Sequence, residues 1–146
     1  MSSRARLKGR QEGGRVAVIP HACLDSPHYL SLSLAAKALL LELTRQFNGF
    51  TNNGDLCLAD KLMKPRGWAK RTVFRAADEL ELKGWIVKTR QGDINKPNLW
   101  ALTFYPIHEC KGKLDVSPTN APLSFWKQGC NPWIQPKRKR LERRAA

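Results

Sequence analysis

No apolar run in this chain approaches 18 residues, so the sequence holds no candidate membrane-spanning helix. Its beginning is polar and arginine-bearing with no apolar stretch behind it, which argues against a secretory signal. The four cysteines, Cys23, Cys57, Cys110 and Cys130, never come within C-x-x-C spacing. That speaks against a structural zinc site and, without a secretion signal, predicts reduced thiols in a cytoplasm. The three histidines, His21, His28 and His108, are scattered, with no His-x-His. A rolling-circle type of DNA-nicking enzyme needs a metal-binding His pair and a nucleophilic tyrosine, whereas Tyr29 and Tyr105 both sit in apolar surroundings. The polar loop with Asn52-Asn53-Gly54-Asp55 lacks the spaced acids and closing glutamate of a calcium loop. The expectation is therefore a protein that is not an enzyme, with no cofactor and no metal.

Acid is the other scarcity. Twelve Asp and Glu face 26 Lys and Arg, for a net charge of +14. Residues 1–15 carry +4 of this and residues 137–144 carry +5, leaving +5 for the body. Two basic arms beside a moderately basic body favour nucleic acid over a small acidic ligand. The arms lack the aromatic or leucine face of an interfacial helix, so anionic lipid fits them poorly. At 146 residues and 42% hydrophobic content the chain has enough material for one modest core plus tails.

The most informative stretch runs from Leu58 to Phe104. Between Ala69 and Lys83, Val73, Ala77 and Leu80 recur at helical spacing, with Phe74 and Ala76 widening the stripe, and Gly84 is a stop signal. The opposite face opens with Lys70, Arg71 and Arg75 and closes with Asp78, Glu79 and Glu81. This order opposes the helix dipole, at about 0.3–1 kcal/mol per misplaced charge. Bases placed there against that preference suit an anionic partner, and a recognition helix enters the major groove with its N-terminal residues leading. A shorter helix over Leu58–Met63 is expected before it, with Leu58, Leu62 and Met63 inward, followed by a turn at Pro65 and Gly67 and by Trp68 as a core plug.

After Gly84 the period changes to two. Trp85, Val87 and Thr89, then Leu99, Ala101 and Thr103, alternate with their neighbours as strands do. The segment from Gln91 to Pro97 between them is a hairpin loop rich in turn formers. Lys88, Arg90, Gln91, Asn95 and Lys96 cluster there, as on a basic wing; an ordinary exposed hairpin is the plainer alternative.

Upstream, Val16–Ile19 suggests an edge strand or a packed extension, and Tyr29, Leu30 and Leu32 are expected to pack on the first long helix. That helix starts at the N-cap Ser33 and reaches about Phe47, with Leu34, Ala38, Leu41 and Thr44 as one inward row widened by Leu39, Leu40, Leu43 and Phe47. Leu56-Cys57-Leu58 is a candidate third strand. Residues 107–136 carry several prolines and no period, and predict an extended segment wrapping the domain, anchored by one or both of Trp126 and Trp133; a partner-binding peptide is the competing reading.

The segments around Ile19-Pro20-His21-Ala22 and Leu24-Asp25-Ser26-Pro27, then SLAAKALLLELTRQFNG, NNGDLCLA and WIVKTRQG, resemble a family of small winged-helix proteins of phages, plasmids and integrated elements of Gram-negative bacteria. The resemblance covers about Val16–Pro106. It implies a mobile-element origin and a DNA-linked role, since related domains occur in replication-initiation proteins and regulators. It carries over no catalytic residues.

The reading is thus an α+β winged helix-turn-helix: a basic N-terminal arm (1–15), the domain (16–106), a proline-rich wrapping segment (107–136) and a basic C-terminal tail (137–146). The expected function is duplex-DNA binding, as a transcriptional regulator or replication accessory, in the bacterial cytoplasm at the nucleoid. The expected DNA contacts are Arg66, Lys70, Arg71, Thr72 and Arg75, with Lys88, Arg90, Gln91, Asn95 and Lys96 on the wing. Arg4, Arg6, Lys8, Arg10, Lys137, Arg138, Lys139 and Arg140 add electrostatic attraction from the arms. Double-stranded DNA is the expected partner, with a second copy of the chain or a host protein as further candidates and no membrane. The alternative is a winged helix that binds a host or phage protein as inhibitor or recruiter.

Overall fold

A computed structural model of the chain describes residues 12–134. Two single-turn helices come first, α1 (His21–Leu24) and α2 (Pro27–Leu30), the second capped by the Ser26 hydroxyl, which accepts from the Tyr29 N–H. Neither was foreseen from the sequence, because one turn is too short to show a period. Of the two expectations for Val16–Ile19 the edge strand is absent, with Val16 and Val18 exposed, and the packed extension holds in part: Ile19 packs against the core and the Tyr105 hydroxyl donates to the Val18 carbonyl. Tyr29 and Leu32 pack on the core as expected, whereas Leu30 is exposed.

The first long helix, α3 (Leu34–Gln46), starts at Ser33, whose hydroxyl accepts from the Ala36 N–H at 3.1 Å. The same hydroxyl donates to Glu79 Oε1 at 2.7 Å, and the Ser33 N–H donates to Glu79 Oε2 at 2.8 Å. A glutamate normally closes such a cap from three residues downstream; here it comes from a different helix and ties the two together. The buried face of α3 is Ala36, Leu39, Leu40, Leu43 and Thr44, continued by Phe47. Leu34, Ala38 and Leu41 point to solvent, so the row expected from them is wrong. Leucines at 39, 40, 41 and 43 carry no phase of their own, and the packing of the helix at Lys70–Leu82 selects the face.

Next come β1 (Leu56–Cys57), α4 (Asp60–Met63) with a 3-10 turn at Lys64–Arg66, α5 (Lys70–Leu82), β2 (Ile86–Arg90) and β3 (Leu99–Leu102). The result is an α+β fold. Among the described residues it has five α-helices and a three-stranded antiparallel sheet in the order β1-β3-β2. Leu56 pairs with Trp100, and Ile86 with Leu102. The outer edge of β1 is occupied by Gln46, whose amide donates to Cys57 O and accepts from the Cys57 N–H, so the exposed edge has fewer free backbone groups to offer another strand. No described helix is long and apolar enough to cross a membrane.

The strands do not show the simple inward and outward alternation expected of them. Ile86 and Val87 are both fully buried, as are Ala101 and Leu102. The reason is the segment after Pro106, which runs across the second face of the sheet. Val87, Ala101 and Ile107 form a small core there under Leu114, Val116, Leu123 and Phe125. Trp126 is buried and stacks on Trp85 at 5.4 Å between ring centroids, while Trp133 stays 42% exposed. The Asn131 amide donates to Ile86 O, and Asp115 accepts from the Gln91 N–H. Gly84 makes this approach possible: at φ +84° it ends the turn after α5, and a Cβ there would lie 2.6 Å from Cys130 O.

Candidate nucleic-acid interface

The helix α5 is built so that one side must fold inward. Val73, Ala76, Ala77 and Leu80 are buried against the core. Position 74 lies about 100° round the helix from Val73, and Phe74 is 74% exposed. The expectation that Phe74 widens the core stripe is therefore wrong; the aromatic stands outward on the first two turns. Leu62, expected inward on α4, is also 46% exposed, while Met63 is buried and Trp68 packs partly against the core.

Lys70, Arg71, Thr72 and Arg75 are all exposed on the first two turns of α5. None of their side chains has a hydrogen-bond or ion-pair partner among the described residues. Asp78 follows on the same exposed side, and Glu79 is engaged with Ser33 and, at 3.6 Å, with Lys83. Burial opposes ionisation of Glu79, but the Ser33 N–H and hydroxyl with Lys83 outweigh it and hold the carboxyl below its ordinary value. Glu81 is pushed the other way by burial, with Lys88 partly offsetting it.

Arg66, expected as a DNA contact, is engaged within the fold. Its Nε donates to Glu42 Oε2 at 2.6 Å and its Nη2 to Oε1 at 3.2 Å, a two-bond clamp between the turn after α4 and α3. The hydrogen bond from Arg66 holds Glu42 below the usual carboxylate range. Arg66 is therefore a strut for the helix pair.

The hairpin separates its polar residues into two groups. Arg90 donates from Nη2 to Pro97 O at 3.1 Å, which folds its guanidinium across the loop. Lys88 lies over the Trp100 ring at 5.5 Å and reaches Gln91 Oε1 at 3.3 Å, and the Gln91 side chain turns back on Gly92 and Asn98. These three shape the hairpin as much as they face outward. Asn95 and Lys96, at the tip, are exposed; their backbone N–H groups donate to Asp93 Oδ1 and the Lys96 carbonyl accepts from the Asp93 N–H, while their side chains have no hydrogen-bond partner among the described residues. Ile94 beside them is fully exposed.

Between α4, α5 and the hairpin loop lies an open groove of about 870 Å³. Val73, Ala77 and Trp100 are buried residues along it; Leu62, Phe74 and Ile94 add exposed apolar surface, and Lys61, Lys70 and Lys96 supply cations. Sequence reasoning missed Phe74, Leu62 and Ile94 as part of this surface. The available signal was positional: each lies one residue off a buried neighbour or within a turn, where burial is not expected. Among the described residues no three His, Cys, Asp or Glu side chains converge as metal ligands. The arm residues Arg4, Arg6, Lys8, Arg10, Lys137, Arg138, Lys139 and Arg140 lie outside the described residues. Comparison with protein families, curated proteins and solved structures finds no match to this chain.

Proposed function

We propose that this chain is a non-enzymatic duplex-DNA-binding protein built as a winged helix-turn-helix, with α5 in the major groove and the β2–β3 hairpin as a wing on the backbone. The observation that carries the reading is the outward face of the first two turns of α5. Lys70, Arg71 and Arg75 stand there exposed, and Lys70 shares one groove with the hairpin tip bearing Lys96. Cations at a helix start are disfavoured by the dipole and gain most from an anionic partner. The order α3, β1, α4, α5, β2, β3 is the order such a domain requires. Arg71 and Arg75 suit the O6 and N7 of guanine, whereas Lys96 at the hairpin tip suits phosphate. A role as transcriptional regulator or replication accessory of a mobile element, acting in the cytoplasm at the nucleoid, rests on the family resemblance.

The test is salt. With about 6–8 phosphates neutralised, log affinity for a generic duplex should fall against log salt with a slope of about −5 to −7. A slope near zero would refute DNA binding. One observation favours a second reading, a contact with a host or phage protein: Leu62, Phe74 and Ile94 expose apolar surface around one groove. Binding to a protein partner with no salt-sensitive DNA affinity would establish it instead.

A further inference from the structure

Phe74 is the feature that neither folding nor phosphate binding explains. Its ring is 74% exposed, so the core does not need it. It follows Lys70 by one helical turn and Arg71 by three residues, and Arg75 comes directly after it. An aromatic set among three cations that have no partner among the described residues suits a polyanion, and in the major groove of DNA the apolar feature on offer is the C5-methyl group of thymine. We propose that Phe74 reads a thymine methyl, so that the preferred site of this protein holds a thymine at a fixed step from the base pairs contacted by Arg71 and Arg75. The occupant of this end of the groove is then a base edge. An apolar peptide is the competing occupant, and the surrounding charge argues against it: Lys61, Lys70 and Lys96 line the groove against Asp60 and Asp93, and Arg71 and Arg75 stand exposed on the neighbouring face of α5. This inference rests on the duplex-DNA reading above.

The probe is a duplex recovered by selection from random-sequence DNA, with each thymine replaced in turn by deoxyuridine. The exchange deletes the methyl and leaves base pairing intact. For the full chain, at least one replacement should weaken binding about four-fold, the value of one buried methyl. Phe74→Ala should bind the thymine and uracil duplexes alike, Phe74→Leu should keep part of the difference, and Arg71→Ala should keep all of it. An unchanged thermal melt will verify that Phe74→Ala is folded, and Phe74→Leu carries the test if it is not. Tight binding that no uracil replacement weakens would overturn the inference while leaving DNA binding intact. So would Phe74→Ala retaining the wild-type preference, which would show that another group reads the methyl. Failure to bind any duplex, or selection that yields no preferred sequence, would remove this inference, and the former would remove the DNA reading with it.

Discussion

Replacing Trp126 by alanine tests whether the segment after Pro106 is a structural part of the domain. The indole is 7% exposed and stacks on Trp85, itself fully buried. Tryptophan-to-alanine changes in cores cost about 3–5 kcal/mol. Two features place this site at the lower end of that range. Among the described residues the Trp126 N–H has no hydrogen-bond partner to lose. The residue also sits in a single 3-10 turn, which can settle partly into the space left behind. The expected loss is about 3 kcal/mol, which for a folded unit of about 120 residues lowers the midpoint of thermal unfolding by about 12 °C. Urea unfolding followed by far-UV circular dichroism measures it. Trp133→Ala is the comparison: that ring is 42% exposed and should cost less than about 1 kcal/mol. A loss below about 1 kcal/mol for Trp126→Ala would show that the segment is not part of the cooperative unit. By the same reasoning, a chain cut after Pro106 leaves Val87 and Ala101 uncovered and should not unfold cooperatively.

Two further stability predictions follow from single residues. Gly84→Ala must pay for the left-handed backbone and displace the carbonyls of Cys130 and Phe125, so it should cost at least about 2 kcal/mol, whereas Gly67→Ala, at φ +87° with open space around it, should cost only the backbone term of about 1 kcal/mol; equal losses in denaturant melts would refute the close approach. Glu79→Gln should cost about 1 kcal/mol at pH 7, because a charged acceptor for Ser33 and Lys83 is weakened. Since the folded carboxyl titrates below its ordinary value of 4.5, its contribution is present above that pH and is lost as pH falls through the folded pKa. The two proteins should therefore converge in acid, and a difference that grows below pH 4.5 would contradict the assignment.

Where one face of an element meets the core and its ends carry clear signals, the sequence was readable. Val73, Ala77 and Leu80 with Gly84 delimited α5 to within a residue, Ser33 marked the start of α3, and the turn formers from Gln91 to Pro97 marked the hairpin. Elsewhere the signal was missing or ambiguous for physical reasons. Leucine-rich α3 had no unique face until α5 was placed beside it. Ile86 and Val87 are buried on opposite faces because a distant, aperiodic segment covers one of them. Asn53 read as a loop residue, yet it is fully buried, and its amide donates to the carbonyls of Leu102, Tyr105 and Pro106 while Oδ1 accepts from the Leu102 N–H. Long-range hydrogen bonds of this kind leave no local pattern. In the candidate interface, Lys70, Arg71, Thr72 and Arg75 lie together on one exposed stretch, as do Asn95 and Lys96, because helix and hairpin geometry alone place them there. The diversion of Arg66 to Glu42 and the exposure of Phe74 depend on which neighbours pack where, and only the folded chain supplies that.

The central claim, that α5 reads bases and the hairpin tip holds the backbone, is tested most directly by comparing Arg71→Ala, Arg75→Ala and Lys96→Ala on a selected duplex and on random duplex at one salt concentration. All three side chains are exposed, so folding should change by no more than about 0.5 kcal/mol. Each arginine variant should lose about 1–3 kcal/mol on the selected duplex and much less on random DNA, and Lys96→Ala should weaken both about equally. Equal losses on the two duplexes for both arginine variants, or no loss for either, would contradict the claim.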